Sequence, residues 1–502
     1  MCSWTRIIAP TTLIVKGFCG FMGNLLKFFY FYNSTYIIYN KFLNLCFHFS
    51  ICKFFVYTVT MKKLLLLALT ITFLYSAPKT SVIFMIGDGM GPAYTSTYRY
   101  YKDDASTQKI EATVFDKILV GMNSTYSKNS VITDSAAAGT ALASGMKTKN
   151  GFIGCTESND TQIQTVLEFA KDHGYMTAMA VTSTLTHATP AAFLSTRGLH
   201  RDKESKIAKD FFIKNKNGAL KFDFLIGGGE KYFQEGYIDF NATAKKNNID
   251  IYRNAYNLDK INHYPFIAFT AYDYPAFAID EHLRDQYRVA KMTKKSLELL
   301  ENKPFFLMIE GSQIDWCGHI NDIGCAMTEM EDFVRSVEIA KDYVDTHPNT
   351  LLIITADHST GGLAIGKKIK KDNKTVTEEQ KSKSYIWYPD IIKKIKASSI
   401  LIAKKLRASK DINATFKKYT SLTLSQDEYR EILNILDKKD KKIRKIVNDI
   451  INKHSNTGWT THGHTAVDVE TFAYGKGSEK FRGFMDNTDI AKKIFEVLLN
   501  KE

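Results

Sequence analysis

Six stretches of this chain hold side chains that could ligate cations or attack a substrate. Asp88 lies in IGDGMG, Ser135 in TDSAAAGTA and Thr189 in HATPAA. Glu310, Asp315 and His319 lie in EGSQIDWCGH, Asp357 and His358 in TADHSTGG, and His464 in THGHT. Zinc takes His nitrogen and Asp/Glu oxygen, and a catalytic zinc keeps one open position. Magnesium takes oxygen alone and keeps several waters. Both kinds of ligand are present. Ser135 precedes Ala136-Ala137-Ala138, a helix start where backbone N–H groups and the helix dipole favour an anion. A nearby cation would lower its hydroxyl pKa and make it a nucleophile.

Each residue alone also has a plainer reading. Asp88 could cap a turn or a helix. Ser135 or Asp134 could be the N-cap of an Ala-rich helix. His462 and His464 could lie on the surface. Glu310-x4-Asp315-x3-His319 could be a polar loop with one helix cap. Their joint occurrence, after successive strands, points to chemistry rather than to caps and loops.

The elements around them give that occurrence a place. Ser81–Ile86 (SVIFMI), Thr177–Val181, Phe305–Ile309 (FFLMI) and Leu351–Thr355 (LLIIT) are short apolar runs. Such runs suit strands buried on both faces of a parallel sheet. Helical spacing marks residues 162–173, 325–345 and 488–500, the second stopped by His347-Pro348. Alternation of the two predicts an α/β fold. We expect a three-layer sandwich: a central, mostly parallel sheet flanked by helices. The polar clusters follow the carboxyl ends of the strands, where such sheets bind ligands. Residues 367–455 break the pattern. They read as a helical, Lys-rich insertion, with Ser425 to Glu428 a capping box.

IGDGMG, TDSAAAGTA, HATPAA, EGSQID with its following His, TADHSTGG and GHT, in this order, resemble the alkaline phosphatase family over residues 81–502. The resemblance implies a hydrolase of phosphate monoesters, with a phosphoserine intermediate and an alkaline pH optimum. It implies two Zn2+ and one Mg2+. Asp315, His319 and His464 would hold the first zinc. Asp88, Asp357 and His358 would hold the second, beside the nucleophile Ser135. Asp88, Thr189 and Glu310 would hold magnesium, with His187 close by. Asp134 would orient the phosphate-binding arginine. Arg201 fits that position, ahead of Ile207-Ala208-Lys209-Asp210, with Arg197 the rival. Trp316 stands where some relatives carry Lys or His. Members of the family commonly form homodimers. The wider superfamily includes phosphodiesterases and sulfatases, but the Thr189–Glu310 pair favours the monoesterase. An inactive binding protein of the same fold would usually have lost ligands, and none is missing.

Composition bounds the rest. The chain has 502 residues, 44% hydrophobic and 24% charged, which excludes a disordered, collagenous or disulfide-dense scaffold. The net charge of +14 is local. Residues 367–455 hold 24 Lys/Arg against 11 Asp/Glu, and residues 1–60 hold five Lys/Arg and no acid. A charge run is usually a solvated face, so we read no nucleic-acid partner. Met61 opens MKKLLLLALTITFLYSAPKTS, the pattern of a secretory signal over 61–77. We expect translation to start there, residues 1–60 to be extraneous, and residues 78–502 to form the catalytic domain. The alternative for 1–60 is a membrane anchor. No stable membrane span is expected in the mature chain. The protein is then exported, to the periplasm or outside the cell. The mature part keeps Cys155, Cys317 and Cys325, with Cys317–Cys325 the expected pair.

Overall fold

Along Ser81–Gly87, the side chains of Val82, Phe84 and Ile86 enter one apolar cluster. Those of Ile83 and Met85 enter another. All five are fully buried. Alternate residues of a strand point to opposite faces, so this run must be covered on both sides. The computed structural model describes residues 78–499 apart from 155–162, 196–197, 235, 237, 254–257, 282–287 and 367–385. It shows that cover. Helices Ser135–Ser144, Val166–Asp172, Ala188–Leu194 and Asn487–Leu498 pack on one face. Helices Arg288–Leu300 and Ile323–Thr346 pack on the other. The three layers anticipated from the sequence are present.

Ten strands form the sheet among the described residues. They are β1 (Ser81–Gly87), β2 (Leu119–Ser124), β3 (Met176–Thr184), β4 (Phe224–Gly228), β5 (Asp250–Arg253), β6 (Phe266–Phe269), β7 (Phe305–Gly311), β8 (Thr350–Thr355), β9 (Val469–Gly475) and β10 (Gly483–Asp486). Their order is β10-β2-β9-β8-β1-β7-β3-β4-β6-β5. Every pairing is parallel except those of β9, which runs against β8 and β2.

Register sets the height of the site. Gly87 pairs with Gly311, Ile86 with Thr355 and Val181 with Glu310. The carboxyl ends of β1, β3, β7 and β8 are therefore level, and so are the residues that follow them. Because β9 is antiparallel, its first residue lies at this same edge, and His464 precedes it by a few residues. A two-residue strand pair, Ser359–Thr360 with His464–Thr465, fixes His464 beside the end of β8.

The Lys-rich stretch is helical where described, with helices Ser399–Arg407, Ile412–Thr420, Gln426–Leu433 and Asp440–Ser455. The Ser425–Glu428 capping box forms. Ile402, Leu406, Phe416, Ile443 and Val447 join the same apolar cluster as helix Ile323–Thr346, while most lysines stay outside. No helix among the described residues is long and apolar enough to cross a membrane.

Candidate active site

Ser135 is the first residue of helix Ser135–Ser144, and only 1% of its surface is exposed. Asp134 is the N-cap and accepts from the Ala137 N–H through Oδ1 at 3.0 Å. Every residue of this helix is buried. Its small side chains permit close packing under helix Ala188–Leu194. A Cβ on Gly139 would lie 3.2 Å from the Thr189 Cα. The Ala/Gly composition thus sets how near Thr189 comes to the nucleophile helix. Gly89 does the same at the end of β1. Its φ is +73°, and a Cβ there would lie 2.7 Å from Thr360 Oγ1 and 2.8 Å from the Asp315 Cα. Only glycine lets the chain turn after Asp88 without displacing the next strand end.

The histidines converge through one nitrogen each. His319 Nδ1 meets the His462 carbonyl at 2.6 Å, and His464 Nδ1 meets the Thr133 carbonyl at 2.8 Å. His358 Nδ1 meets Thr360 Oγ1 at 3.2 Å. The two carbonyls can only accept, so Nδ1 of His319 and of His464 carries the proton. Nε2 of each ring then turns inward; those of His319 and His464 lie 3.1 Å apart, where one cation would replace the proton between them. These Nε2 atoms face the acids. His319 Nε2 lies 3.3 Å from Asp315 Oδ2, and His464 Nε2 lies 3.7 Å from Asp315 Oδ1. His358 Nε2 lies 3.5 Å from Asp88 Oδ1, 3.1 Å from Asp357 Oδ2 and 3.1 Å from Ser135 Oγ.

Four carboxylates, those of Asp88, Glu310, Asp315 and Asp357, are buried together. Neither oxygen of Asp88 has a hydrogen-bond partner, and Glu310 Oε1 and Thr189 Oγ1 also lack one. Burying charge this way costs several kcal/mol per ion unless a counter-charge is supplied. Burial, then Asp357, Asp315 and Glu310, hold the Asp88 carboxyl well above the usual range. Burial pushes Glu310 up to about 8, against the hydrogen bond from Ser312. Asp315 behaves oppositely: in spite of burial, His319 holds it well below its ordinary value. Burial lowers the His319 imidazole, but Asp315 outweighs it and raises it to about 9. Burial and His358 lower His464 to about 4. Among the described residues, three groups are spaced to hold a cation: Asp315, His319 and His464; Asp88, Asp315 and His358; and Asp88, His187 and Glu310. Within each, the ligand atoms lie within 4.8 Å of one another. The unpartnered oxygens and inward-facing Nε2 atoms fit hard and borderline divalent cations.

Among the described residues, the guanidinium of Arg201 reaches this acidic cluster. Arg201 Nη1 donates to Asp134 Oδ2 at 3.0 Å, and Nη2 lies 3.4 Å from His187 Nε2. Burial and Arg201 lower His187 to about 4. Arg197 lies outside the described residues. Trp316 stands edge-on to His187 with ring centroids 5.8 Å apart, and beside Tyr274 at 5.1 Å. Cys317 and Cys325 form a disulfide, as expected.

The structure thus gathers all twelve residues singled out from the sequence. It adds partners that sequence reading did not single out: Thr360, whose Oγ1 also donates to Asp315 Oδ1, and Ser183 and Ser312 on Glu310. A small hydroxyl residue beside a ligand motif was the only signal for them.

A serine on a helix N-terminus, facing carboxylates and imidazoles at level strand ends, defines the class: an α/β enzyme whose site has the residues to hold cations. Comparison with known proteins gives the family. The family model described as alkaline phosphatase matches residues 79–499, so the chain belongs to the alkaline phosphatase family. It is an enzyme of that family, a phosphomonoester hydrolase. Alkaline phosphatase 3 of Bacillus subtilis is 38% identical over 429 residues, covering 83% of this chain and 88% of its own. A cold-active alkaline phosphatase from Shewanella sp. is 38% identical with a TM-score of 0.75, covering 83% of this chain and 99% of that one. The alkaline phosphatase of the Antarctic bacterium TAB5 is 25% identical with a TM-score of 0.60, covering 84% and 99%.

Proposed function

We propose that the chain hydrolyses phosphate monoesters through a phosphoserine on Ser135, at a site for two zinc ions and one magnesium ion. The observation that carries this reading is the contact of Ser135 Oγ with His358 Nε2 at 3.1 Å, beside carboxylates that lack partners. Asp315, His319 and His464 hold one zinc. Asp88, Asp357 and His358 hold the other. Asp88, Thr189 and Glu310 hold magnesium, with His187 alongside. A variant of the TAB5 enzyme binds Mg in its M3 site, which supports a third site here. Bound cations offset the buried carboxylates and lower the pKa of the serine hydroxyl and of water.

The chain's own residues do the rest. Arg201, oriented by Asp134, forks onto two phosphate oxygens. Ser135 Oγ loses its proton and bonds to phosphorus in line as the P–O bond to the ester oxygen breaks. The alcohol leaves with a proton. Water then attacks phosphorus, the bond to Ser135 Oγ breaks, and that oxygen takes a proton back as phosphate departs. The helix N-terminus favours the anion throughout. Alkaline conditions favour both deprotonations. Export, with residues 61–77 as signal and 78–502 as the catalytic domain, and a homodimeric assembly complete this reading.

Ser135→Ala tests it. Turnover should fall about 10³-fold or more, with zinc content unchanged by metal analysis. Turnover near that of the parent enzyme would rule out Ser135 as the nucleophile.

A further inference from the structure

The Lys-rich helical stretch has so far no part in the chemistry. One of its helices, Asp440–Ser455, carries two asparagines that point inward. Asn448 and Asn452 are one turn apart, on a single face, and are 3% and 8% exposed. Lys441, Lys442 and Lys445 lie on the exposed side. Both asparagines donate to backbone carbonyls of one turn. Asn448 Nδ2 reaches the Ile320 carbonyl at 2.6 Å, and Asn452 Nδ2 reaches the Asn321 carbonyl at 2.9 Å. Trp459 Nε1 donates to Asn452 Oδ1 at 3.1 Å and so fixes that amide. A second helix of the stretch joins in, since the Ser399 N–H donates to Asp322 Oδ2 at 2.7 Å.

That turn ends the seven-residue helix Gln313–His319, which carries Asp315 and His319. Two turns of helix are marginal alone. Its last carbonyls take the N–H groups of Ile320, Asn321 and Asp322, so the chain folds back at once, with Asn321 at φ +55°, a left-handed turn that asparagine tolerates. The external amides bond to the next two carbonyls, of Ile320 and Asn321, and hold the turn against helix Asp440–Ser455.

We infer that the helical stretch clamps one wall of the cation site, and that Asn448 and Asn452 are positioning residues for His319 and Asp315. This rests on the cation ligation proposed above. Removing partners that orient a metal ligand costs about 10–100-fold in metal affinity.

The test measures zinc release. The full chain, loaded with zinc and magnesium, is mixed with excess chelator, and zinc is followed with a chromogenic indicator. Asn448→Leu/Asn452→Leu should release one zinc about 10–100-fold faster, with the second zinc leaving at the rate of the parent chain. Lys445→Ala, on the outer face, should match the parent. Release of both ions at the parent rates, or both together in step with loss of helical circular dichroism, would overturn the inference. The single variant Asn452→Ser is read in the same way if the double variant does not fold. A parent chain that takes up no zinc would instead overturn the ligation itself.

Discussion

At the scale of single residues, the Asp134–Arg201 pair shows how the site divides its labour. Asp134 accepts from the helix N-terminus with one oxygen and from Arg201 and the Gly151 N–H with the other. It therefore ties the guanidinium to the nucleophile helix. A forked contact between ions is worth about 1.5–3 kcal/mol. Arg201→Ala should lower kcat/KM about 10–100-fold, read from initial rates on an aryl phosphate; an unchanged value would mean that Arg201 does not contact the phosphate. The ligand residues also predict how the metal-stripped chain responds to pH. Between pH 6.5 and 8, folded Glu310 and His319 hold protons that the unfolded chain releases, their values being raised to about 8 and about 9. A folded state that binds more protons loses stability as pH rises. His187 and His464, lowered to about 4, act in the opposite sense only below about 6.5. Denaturant midpoints of the chelated chain should fall from pH 6.5 to 8, and saturating zinc and magnesium should remove the trend. The side chains proposed to bind cations stood out in the sequence through their joint occurrence at successive strand ends. The carbonyls of Thr133 and His462, which set two imidazoles, did not, because a backbone acceptor leaves no mark on residue type.

Among the elements, the four site-bearing strands were readable as apolar runs because both faces are covered. The structure extends them by up to a few residues, as in Met176–Thr184 for the run begun at Thr177. The antiparallel course of β9 was not readable. Its run VETFAYG mixes polar and apolar residues near one side of the sheet, where the burial is uneven. Direction is set by its partners, β8 and β2, far away in sequence. Leu352, fully buried in β8, should cost about 2–5 kcal/mol on truncation to Ala. A loss below 1 kcal/mol in denaturant melts would contradict the packing described. The Cys317–Cys325 disulfide spans the turn between the ligand helix and helix Ile323–Thr346. Closing so short a loop is worth about 2–3 kcal/mol in the unfolded chain. Cys317→Ala/Cys325→Ala should lower stability by about that amount, read as a shift of the denaturant midpoint.

For the molecule as a whole, charge and chemistry are kept apart. The basic excess sits largely in the helical stretch, whose described lysines are mostly exposed while its apolar side chains and two asparagines face inward. The acidic cluster sits at the level ends of the parallel strands, screened by helix layers on both faces. That separation is why net charge said little about function, and motif order said much. Four buried carboxylates and three imidazoles are proposed to serve cations that activate Ser135. The most direct measurement is hydrolysis of p-nitrophenyl phosphate at alkaline pH by the purified protein, before chelation, after it, and after zinc and magnesium are restored. Activity should be lost to the chelator and regained with the metals. Activity indifferent to chelation, or none after repletion of folded protein, would contradict it.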